Sequence, residues 1–389
     1  MCGITGYIGQ REAYPIVVKG LQRLEYRGYD SAGIMMYDGK EIRVTKTKGK
    51  VSDLEQLTAQ NPESKLGSIG IGHTRWATHG VPNDVNSHPH TSMSGDLVIV
   101  HNGIIENYDT IKKELISRGY TFKSDTDTEV LVNLIEEVKK QVGCKLGKAV
   151  QLALTQVIGA YAIAVFDKSK TNEIVVARLG SPIAIGVGKD NEEFFVASDA
   201  SPFIEYTKEA IYLEDEELAI IKLNKGIKVR KIHDDSLVDT KTQELQLSLE
   251  QIEKGGFDHF MLKEIHEQPK AIKDTYRGRM IPNEGIIKMA GIDDNIEKFL
   301  NADRIIIAAC GTSWHAGLVA EYLFEDIARI PVEVEYASEF RYRNPIITEK
   351  DIVIAISQSG ETADTLAAIK LAKSKGAFVF GVCNVVGSS

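Results

Sequence analysis

Cys2 could act as a nucleophile that supplies its own base. Removal of Met1 would give Cys2 a free α-amine, whose pKa of about 7.7–8.0 suits it to accept the thiol proton near neutral pH. No histidine would then be needed to activate the thiol. An ordinary cysteine beside the start codon is the commoner case. Gly3 and Gly6, which would let a substrate approach the backbone closely, favour the catalytic interpretation without proving it.

The Asn-Gly pair at positions 102 and 103 follows the apolar run 97–101. Asn-Gly is the strongest short signal for a type I′ hairpin turn, so the pair by itself predicts a turn after a strand. A turn can also present its own N–H groups to a ligand, and a binding role is therefore compatible with this interpretation.

The histidines of the first half of the chain raise the question of a metal site. Five of the nine histidines lie between His73 and His101. His88 and His90 do not have a zinc-type spacing, and no cysteine or carboxylate stands at a standard offset from them. We therefore expect no metal, and we interpret His88 as a pocket or structural histidine.

Hydrophobic patterning before position 235 indicates the elements that must position these residues. Two stretches, 111–118 and 128–140, have apolar residues three and four apart, as amphipathic helices do. Short apolar runs typical of strands occur at 69–72, 97–101, 161–166, 174–177, 194–197 and 218–223. Strands that follow one another, with helices grouped between them, predict two sheets with helical layers.

A different pattern begins near position 239. The segment 239–285 is charged and has no strand-like run, and we interpret it as a helical connector broken at Pro269 and Pro282. Beyond it, strands are predicted at 304–309, 332–334, 351–356 and 378–382, and helices at 313–328 and 362–374. Apolar strands alternating with helices predict a doubly wound parallel sheet.

Two loops of this second region follow parallel strands and open helices, which is where such sheets bind ligands. Residues 310–313 (CGTS) and 357–362 (SQSGET) combine hydroxyls with backbone N–H groups at a helix start, as anion sites do. Neither loop has the G-x-x-x-x-G-K-[ST] pattern of nucleoside triphosphate sites, and a single phosphate on a polar sugar suits them better. Ordinary N-capping by Ser and Thr explains either loop alone equally well.

Composition excludes several classes of protein. Of the 389 residues, 43% are hydrophobic and 26% charged, which excludes a disordered chain. The net charge of −9 argues against a broad nucleic-acid surface, and no apolar run reaches the ~18 residues that span a bilayer. The four cysteines have neither disulfide-framework nor zinc spacing. We expect a cytoplasmic protein without nucleic-acid or membrane partners, in which Cys310 and Cys383 are buried as small apolar residues.

Five segments of the first region closely resemble the class II glutamine amidotransferase domain. They are residues 1–6 (MCGITG), 24–33 (LEYRGYDSAG), 72–80 (GHTRWATHG), 101–107 (HNGIIEN) and 124–129 (SDTDTE). The resemblance implies a four-layer αββα fold of the amino-terminal nucleophile (Ntn) hydrolase type, an α+β domain. It also implies that Cys2 attacks the side-chain amide of glutamine. The Asn102 side chain and the Gly103 N–H are implied as the donors that stabilise the oxyanion.

The same resemblance implies a pocket for the glutamine zwitterion. Arg75 would bind the α-carboxylate with its planar fork, and Asp127 would hold the α-ammonium. Trp76, Thr78 and His79 line this pocket in the family, and Trp76 is implied as a gate against ammonia escape. A single arginine or aspartate is usually a solvated surface charge. A matched pair of opposite charges favours a site for an amino-acid zwitterion over that interpretation.

The two hydroxyl-rich loops, with residues 337–343 (ASEFRYR) between them, resemble the sugar isomerase (SIS) domain. By this resemblance the sugar phosphate is contacted by Thr312, Ser313, Ser357, Gln358, Ser359 and Thr362. Joined to the first domain, it is similar to a family of enzymes that pass the amide nitrogen of L-glutamine to D-fructose 6-phosphate. Their products are D-glucosamine 6-phosphate and L-glutamate, in the first step of amino-sugar synthesis. The family implies a homodimer for the full enzyme, and nothing in the sequence requires a cofactor.

We expect three parts: a glutaminase domain at 1–238, a helical connector at 239–285 and a SIS domain at 286–389 that is incomplete at its C-terminal end. No helix is predicted after the strand 378–382, so the chain is interpreted as a fragment of a longer enzyme. Three alternatives stay open: a glutaminase with a vestigial sugar-phosphate module, an amidotransferase with another acceptor, and a non-enzymatic sugar-phosphate sensor. The loop 357–362 argues against a pyrophosphate or ATP acceptor domain, and a sensor would not need Cys2.

Overall fold

The computed structural model describes residues 2–76, 80–245, 255–281, 283–360 and 362–384. The chain divides into two compact units, Met1–Glu253 and Lys254–Ser389. Among the described residues, none of the helices has the length and apolar character needed to cross a membrane.

The first unit is built from two antiparallel sheets. In chain order its strands are β1 (Gly3–Ile8), β2 (Ser31–Tyr37), β3 (Ile42–Lys48), β4 (Ile69–Arg75), β5 (His90–Thr91), β6 (Leu97–Ile105), β7 (Gly159–Asp167), β8 (Glu173–Leu179), β9 (Ala184–Val187), β10 (Phe194–Ala197), β11 (Glu209–Tyr212), β12 (Glu217–Lys222), β13 (Gly226–Lys231), β14 (Leu237–Val238) and β15 (Gln243–Glu244). The first sheet has the order β15-β11-β9-β10-β1-β4-β2-β3, and the second β14-β13-β12-β8-β7-β6-β5.

Helices cover the outer faces of both sheets. They are α1 (Ala13–Leu24), α2 (Val51–Gln60), α3 (Tyr108–Ser117), α4 (Asp127–Val142) and α5 (Leu146–Leu154). One apolar core lies between the sheets, a second between the first sheet and α1 and α2, and a third between the second sheet and α3 to α5. Because each sheet is covered on both faces, central strands such as β4 are buried along their whole length. The predicted four-layer αββα Ntn-type fold is confirmed.

The Asn102-Gly103 pair does not form the predicted turn. Both residues lie inside β6, where Asn102 pairs with Ala162 and Gly103 with Tyr161. The sequence signal is local, whereas the strand is held by its antiparallel pairing with β7, which continues to Ile105. Long-range pairing therefore overrides the turn preference of the dipeptide.

The second unit contains a four-stranded parallel sheet in the order β19-β18-β20-β21. The strands of the second unit are β16 (Met280–Ile281), β17 (Ile286–Ile287), β18 (Arg304–Ala309), β19 (Val332–Tyr336), β20 (Asp351–Ser357) and β21 (Phe378–Cys383). Strands β16 and β17 form a separate hairpin, and the other four form the parallel sheet. Its helices are α6 (Phe260–Tyr276), α7 (Ala290–Asp293), α8 (Ile296–Leu300), α9 (Gly311–Leu323), α10 (Ala337–Tyr342) and α11 (Ala363–Ser374). Apolar clusters lie on both faces of the parallel sheet, as the predicted doubly wound arrangement requires.

Three expectations for the connector and the second unit are wrong in detail. Pro269 lies inside α6 and does not end it, because one proline removes one backbone hydrogen bond from a helix that continues on both sides. The connector region also contains strand residues, at Gln243–Glu244 and Met280–Ile281. Cys383 is exposed and Cys310 is half-buried, so neither is the fully buried residue that was expected. Pro282 lies outside the described residues.

Candidate active site

Cys2 lies immediately before β1, beside the end of β4. The pairing of Gly3 with Thr74 brings the Cys2 Sγ to 3.2 Å from the Trp76 N–H, which donates to it, and to 3.5 Å from the Trp76 carbonyl oxygen. Arg27 donates from Nε to the Cys2 carbonyl oxygen at 3.2 Å. Burial raises the pKa of the Cys2 thiol, and the Trp76 N–H opposes that rise. A thiol in this setting needs a base to become a thiolate.

The Asn102 side chain connects Cys2 to the second sheet. Its Nδ2 donates to the Cys2 carbonyl oxygen at 3.1 Å and to Ser198 Oγ at 2.9 Å. Its Oδ1 lies 2.9 Å from Nε2 of His73, on β4. The side chain is buried, and these partners hold the carboxamide at both its nitrogen and its oxygen.

Gly103 follows in β6 with a φ of +136°, a value that L side chains rarely adopt. A Cβ at this position would lie 2.0 Å from the carbonyl oxygen of Ala160. No side chain can be placed there without moving β7, so the position requires glycine. The strand can then pass close to the cavity beside Cys2.

Two opposite charges stand at element ends beside the cysteine. Arg75 is the last residue of β4, is 3% exposed, and donates from Nη2 to the Gly80 carbonyl oxygen at 3.1 Å. Asp127 is the first residue of α4, is 5% exposed, and accepts from the Ile105 N–H at 2.8 Å. The positive end of the helix dipole also favours a carboxylate at this position.

Most of the predicted glutaminase residues line one cavity of about 270 Å³. Those that line it are Cys2, Arg75, Trp76, Asn102, Gly103 and Asp127. Thr78 and His79 lie outside the described residues. Trp76 is 48% exposed and makes an edge contact with the Tyr29 ring at 5.4 Å, at the margin of this cavity.

Several lining residues were not singled out from the sequence. Arg27, His101 and Thr128 belong to the segments that carry the family resemblance, so their positions in those segments were an available signal. Ser181 and Pro182 also line the cavity, and no local pattern marks them. Their place depends on the path of the chain between β8 and β9.

The histidines form a buried cluster behind the cavity. The rings of His73 and His88 stack at 4.2 Å, and the His88 and His90 rings meet edge-on at 4.7 Å. Thr128 Oγ1 lies 2.9 Å from both His88 Nε2 and His101 Nδ1. Burial lowers the pKa of His73 to about 3 and the pKa values of His88 and His90 well below their usual range.

No group of three or more His, Cys, Asp or Glu side chains in the described ranges is placed to hold a metal ion. His88 lines the cavity and contacts Thr128.

In the second unit, the two hydroxyl-rich loops follow the neighbouring parallel strands β18 and β20. Thr312 and Ser313 lie in the first turn of α9, which begins one residue after Cys310. Ser357 ends β20, and its Oγ accepts from the Gly360 N–H at 3.0 Å and lies 3.3 Å from Thr362 Oγ1. Thr362 is the residue before α11, without a side-chain capping bond.

Gln358 and Ser359 complete the second loop; Gln358 is exposed and accepts at its carbonyl oxygen from Cys383 Sγ at 3.7 Å. Because the carboxyl ends of neighbouring parallel strands meet at one edge of the sheet, all six predicted sugar-phosphate residues stand at that edge.

Two protein families match different parts of the chain. The glutamine amidotransferase domain family matches residues 62–235, and the SIS domain family matches residues 298–389. A solved glutamine phosphoribosylpyrophosphate amidotransferase from B. subtilis, complexed with ADP and GMP, resembles the chain with a TM-score of 0.52 and 22% identity. That likeness covers 98% of this chain and 81% of the other, and at this identity it shows the fold alone.

Curated relatives match the whole chain at much higher identity. A protein of Bacteroides thetaiotaomicron is 57% identical over 390 residues and one of Chlorobaculum tepidum 55% identical over 391 residues. Both are named glutamine–fructose-6-phosphate aminotransferase (isomerizing). Each match covers 100% of this chain and 63% of the relative, so the chain spans less than two thirds of their length.

The fold is that of an Ntn-type glutamine amidotransferase domain, and the chain also matches the SIS domain family. Within that class, the chain is similar over its whole length to proteins named glutamine–fructose-6-phosphate aminotransferase (isomerizing).

Proposed function

We propose that the first unit hydrolyses the side-chain amide of L-glutamine at Cys2, and that the ammonia aminates D-fructose 6-phosphate to D-glucosamine 6-phosphate. The observation that carries the proposal is that a cysteine, an oriented carboxamide and two opposite buried charges line one cavity. The name of these relatives, glutamine–fructose-6-phosphate aminotransferase (isomerizing), supports the same overall reaction. Fructose 6-phosphate and glutamine are therefore the proposed small-molecule substrates.

The proposed chemistry begins with removal of Met1, which frees the α-amine of Cys2. The amine takes the thiol proton, and the thiolate attacks the amide carbon of glutamine, forming a tetrahedral oxyanion. One N–H of Asn102, which in the free site donates to the Cys2 carbonyl oxygen at 3.1 Å, would turn to the oxyanion, and the Gly103 N–H is the second donor. Ammonia leaves with the proton held by the amine, and water then hydrolyses the thioester to glutamate and regenerates the thiol.

Arg75 and Asp127 would hold the two ends of the glutamine zwitterion. The Arg75 guanidinium matches the α-carboxylate and the Asp127 carboxylate matches the α-ammonium, and each is buried at the edge of the same cavity. Asp127→Asn keeps an oxygen that can accept from the Ile105 N–H but removes the charge. A lost charged hydrogen bond of about 1.5–3 kcal/mol should raise the KM for glutamine about 10- to 100-fold. An unchanged KM would contradict this role.

In the second unit we propose that Thr312, Ser313 and the 357–362 loop bind the phosphate of the sugar. The neighbouring strand ends and the two helix starts support this assignment. Ser357→Ala should weaken fructose 6-phosphate binding in a calorimetric titration. Ser374→Ala, at the far end of α11, is the matched control and should leave binding unchanged.

The main experiment is an assay of glutamate and ammonia release, with and without fructose 6-phosphate, together with detection of glucosamine 6-phosphate. Cys2→Ala should abolish glutamate release, whereas Cys144→Ala, a half-buried cysteine outside this cavity, should not. Mass spectrometry of the N-terminus checks that Met1 is removed. Hydrolysis that survives Cys2→Ala would refute the thiol mechanism. Hydrolysis without amino sugar would restrict the proposal to the glutaminase reaction.

We further propose a cytoplasmic location and a homodimer for the full enzyme, in line with its metabolic relatives. The division into a glutaminase domain at 1–238, a connector at 239–285 and a SIS domain from 286 also stays a proposal. Limited proteolysis that cleaves first within 239–285 would support that division, and first cleavage inside either domain would contradict it.

A further inference from the structure

The His73 side chain, on β4, faces two oxygen atoms of β6. It is 1% exposed, and its Nε2 lies 3.0 Å from the His101 carbonyl oxygen and 2.9 Å from Asn102 Oδ1. A main-chain carbonyl oxygen can only accept a hydrogen bond. Nε2 therefore carries the ring proton and donates it towards both oxygens.

The orientation of the Asn102 carboxamide follows from a second carbonyl oxygen. Cys2 O also can only accept, so the group 3.1 Å from it must be the Asn102 NH₂. Ser198 Oγ takes the other N–H at 2.9 Å while accepting from the Ile4 N–H at 2.8 Å. The carboxamide oxygen is left facing His73.

We propose that His73 is a positioning residue for the oxyanion donor: its Nε2–H selects the carboxamide orientation in which Asn102 presents N–H, and not oxygen, to the Cys2 side. The inference rests on the proposed glutaminase function. The stacked His88 ring, 4.2 Å away, fixes the plane of His73. Burial keeps the His73 ring neutral by holding its pKa far below the usual range, which leaves one N–H to donate.

A double-mutant cycle tests this coupling. His73→Leu removes the N–H at similar volume and should lower kcat for glutamate release about 10- to 100-fold, within the cost of a lost oxyanion donor, with KM changed less than about threefold. His73→Gln, which retains a terminal N–H, should recover much of that loss. The exposed His233→Leu is the control and should leave kcat unchanged.

The decisive comparison is with Asn102→Ala. If His73 acts through Asn102, the double variant His73→Leu/Asn102→Ala should be within about threefold of Asn102→Ala alone. Losses that multiply would overturn the inference, because His73 would then act independently of Asn102. A His73→Leu chain with full kcat would overturn it as well.

A measurement that needs no activity keeps this inference separate from the proposed function. In NMR spectra of the full chain labelled with ¹⁵N-histidine at pH 7, the signals lost in His73→Gln identify His73. They should show a neutral ring protonated at Nε2; an Nδ1–H tautomer or a charged ring would overturn the inference. A chain that releases no glutamate would refute the proposed function, and the tautomer would then decide by itself whether His73 orients Asn102.

Discussion

Gly103→Ala should impair both folding and catalysis. Its cost in the free energy of unfolding has two parts, one from the backbone conformation and one from a steric clash. Gly103 has a φ of +136°, and an added Cβ would lie 2.0 Å from the Ala160 carbonyl oxygen in the neighbouring strand. The unfavourable backbone conformation costs about 1–3 kcal/mol. Displacing a main-chain oxygen, which cannot rotate away as a side chain does, adds about 1–3 kcal/mol.

The sum, about 2–6 kcal/mol, is a large part of the typical stability of a domain, about 5–15 kcal/mol. Gly67→Ala is the matched control. Gly67 has a φ of +145°, and its Cβ would lie 2.4 Å from the Tyr37 carbonyl oxygen, at the opposite end of β4 from Arg75. Gly95→Ala, with a φ of +81° and open space around it, measures the backbone term alone at about 1–2 kcal/mol.

Urea unfolding followed by Trp76 fluorescence in a Trp314→Phe background reports on the first unit, because the chain has two tryptophans. Gly103→Ala and Gly67→Ala should lower the unfolding free energy by similar amounts. In conditions where both are folded, Gly103→Ala alone should lower kcat about 10²- to 10³-fold, since its N–H is displaced. The reasoning fails if Gly103→Ala keeps full kcat, or if Gly67→Ala loses as much.

Two further predictions concern stability. Burial lowers the pKa of His73 to about 3, against about 6.5 in an unfolded chain, so the unfolded state takes up the proton first as the pH falls. Stability should therefore decline below about pH 6.5, by about 2 kcal/mol at pH 5 for this residue, and a His73→Gln chain that declines equally in urea titrations would contradict the assignment. Asp351→Asn should cost the second unit about 3 kcal/mol, because it breaks the partly buried ion pair with Arg304 at 3.0 Å. Asp303→Asn, whose exposed pair with Lys350 spans 3.5 Å, should cost under about 1 kcal/mol, and equal shifts in thermal unfolding would refute the distinction.

Much of the fold could be predicted from local patterns. The apolar runs 69–72, 97–101 and 194–197 lie within β4, β6 and β10, because a buried strand must be apolar along its length. The helix predicted at 128–140 lies within α4 for the same reason of periodicity. Pro269 does not break its helix as expected, because the cost of one missing hydrogen bond is small against the rest of a 17-residue helix.

The residues of the candidate site were predicted with uneven success. Motif resemblance pointed to Cys2, Arg75 and Asp127, and the structure places them around one cavity. It did not reveal Ser181, because no local pattern shows which loop will close a cavity. By itself the Asn-Gly pair predicts a turn, and the structure has a strand there instead, because a dipeptide preference cannot account for pairing with a strand far along the chain.

By itself, the sequence determined which side chains are available for chemistry and which segments must be strands or helices, because both depend on residue type and on short-range periodicity. Only the tertiary structure decided the orientation of the Asn102 amide, the position of the His73 proton and the direction of the Cys2 pKa shift. These properties depend on carbonyl oxygens and burial supplied by residues distant in the chain, as when Asn102 meets Cys2 across 100 positions. No local pattern contains that distance.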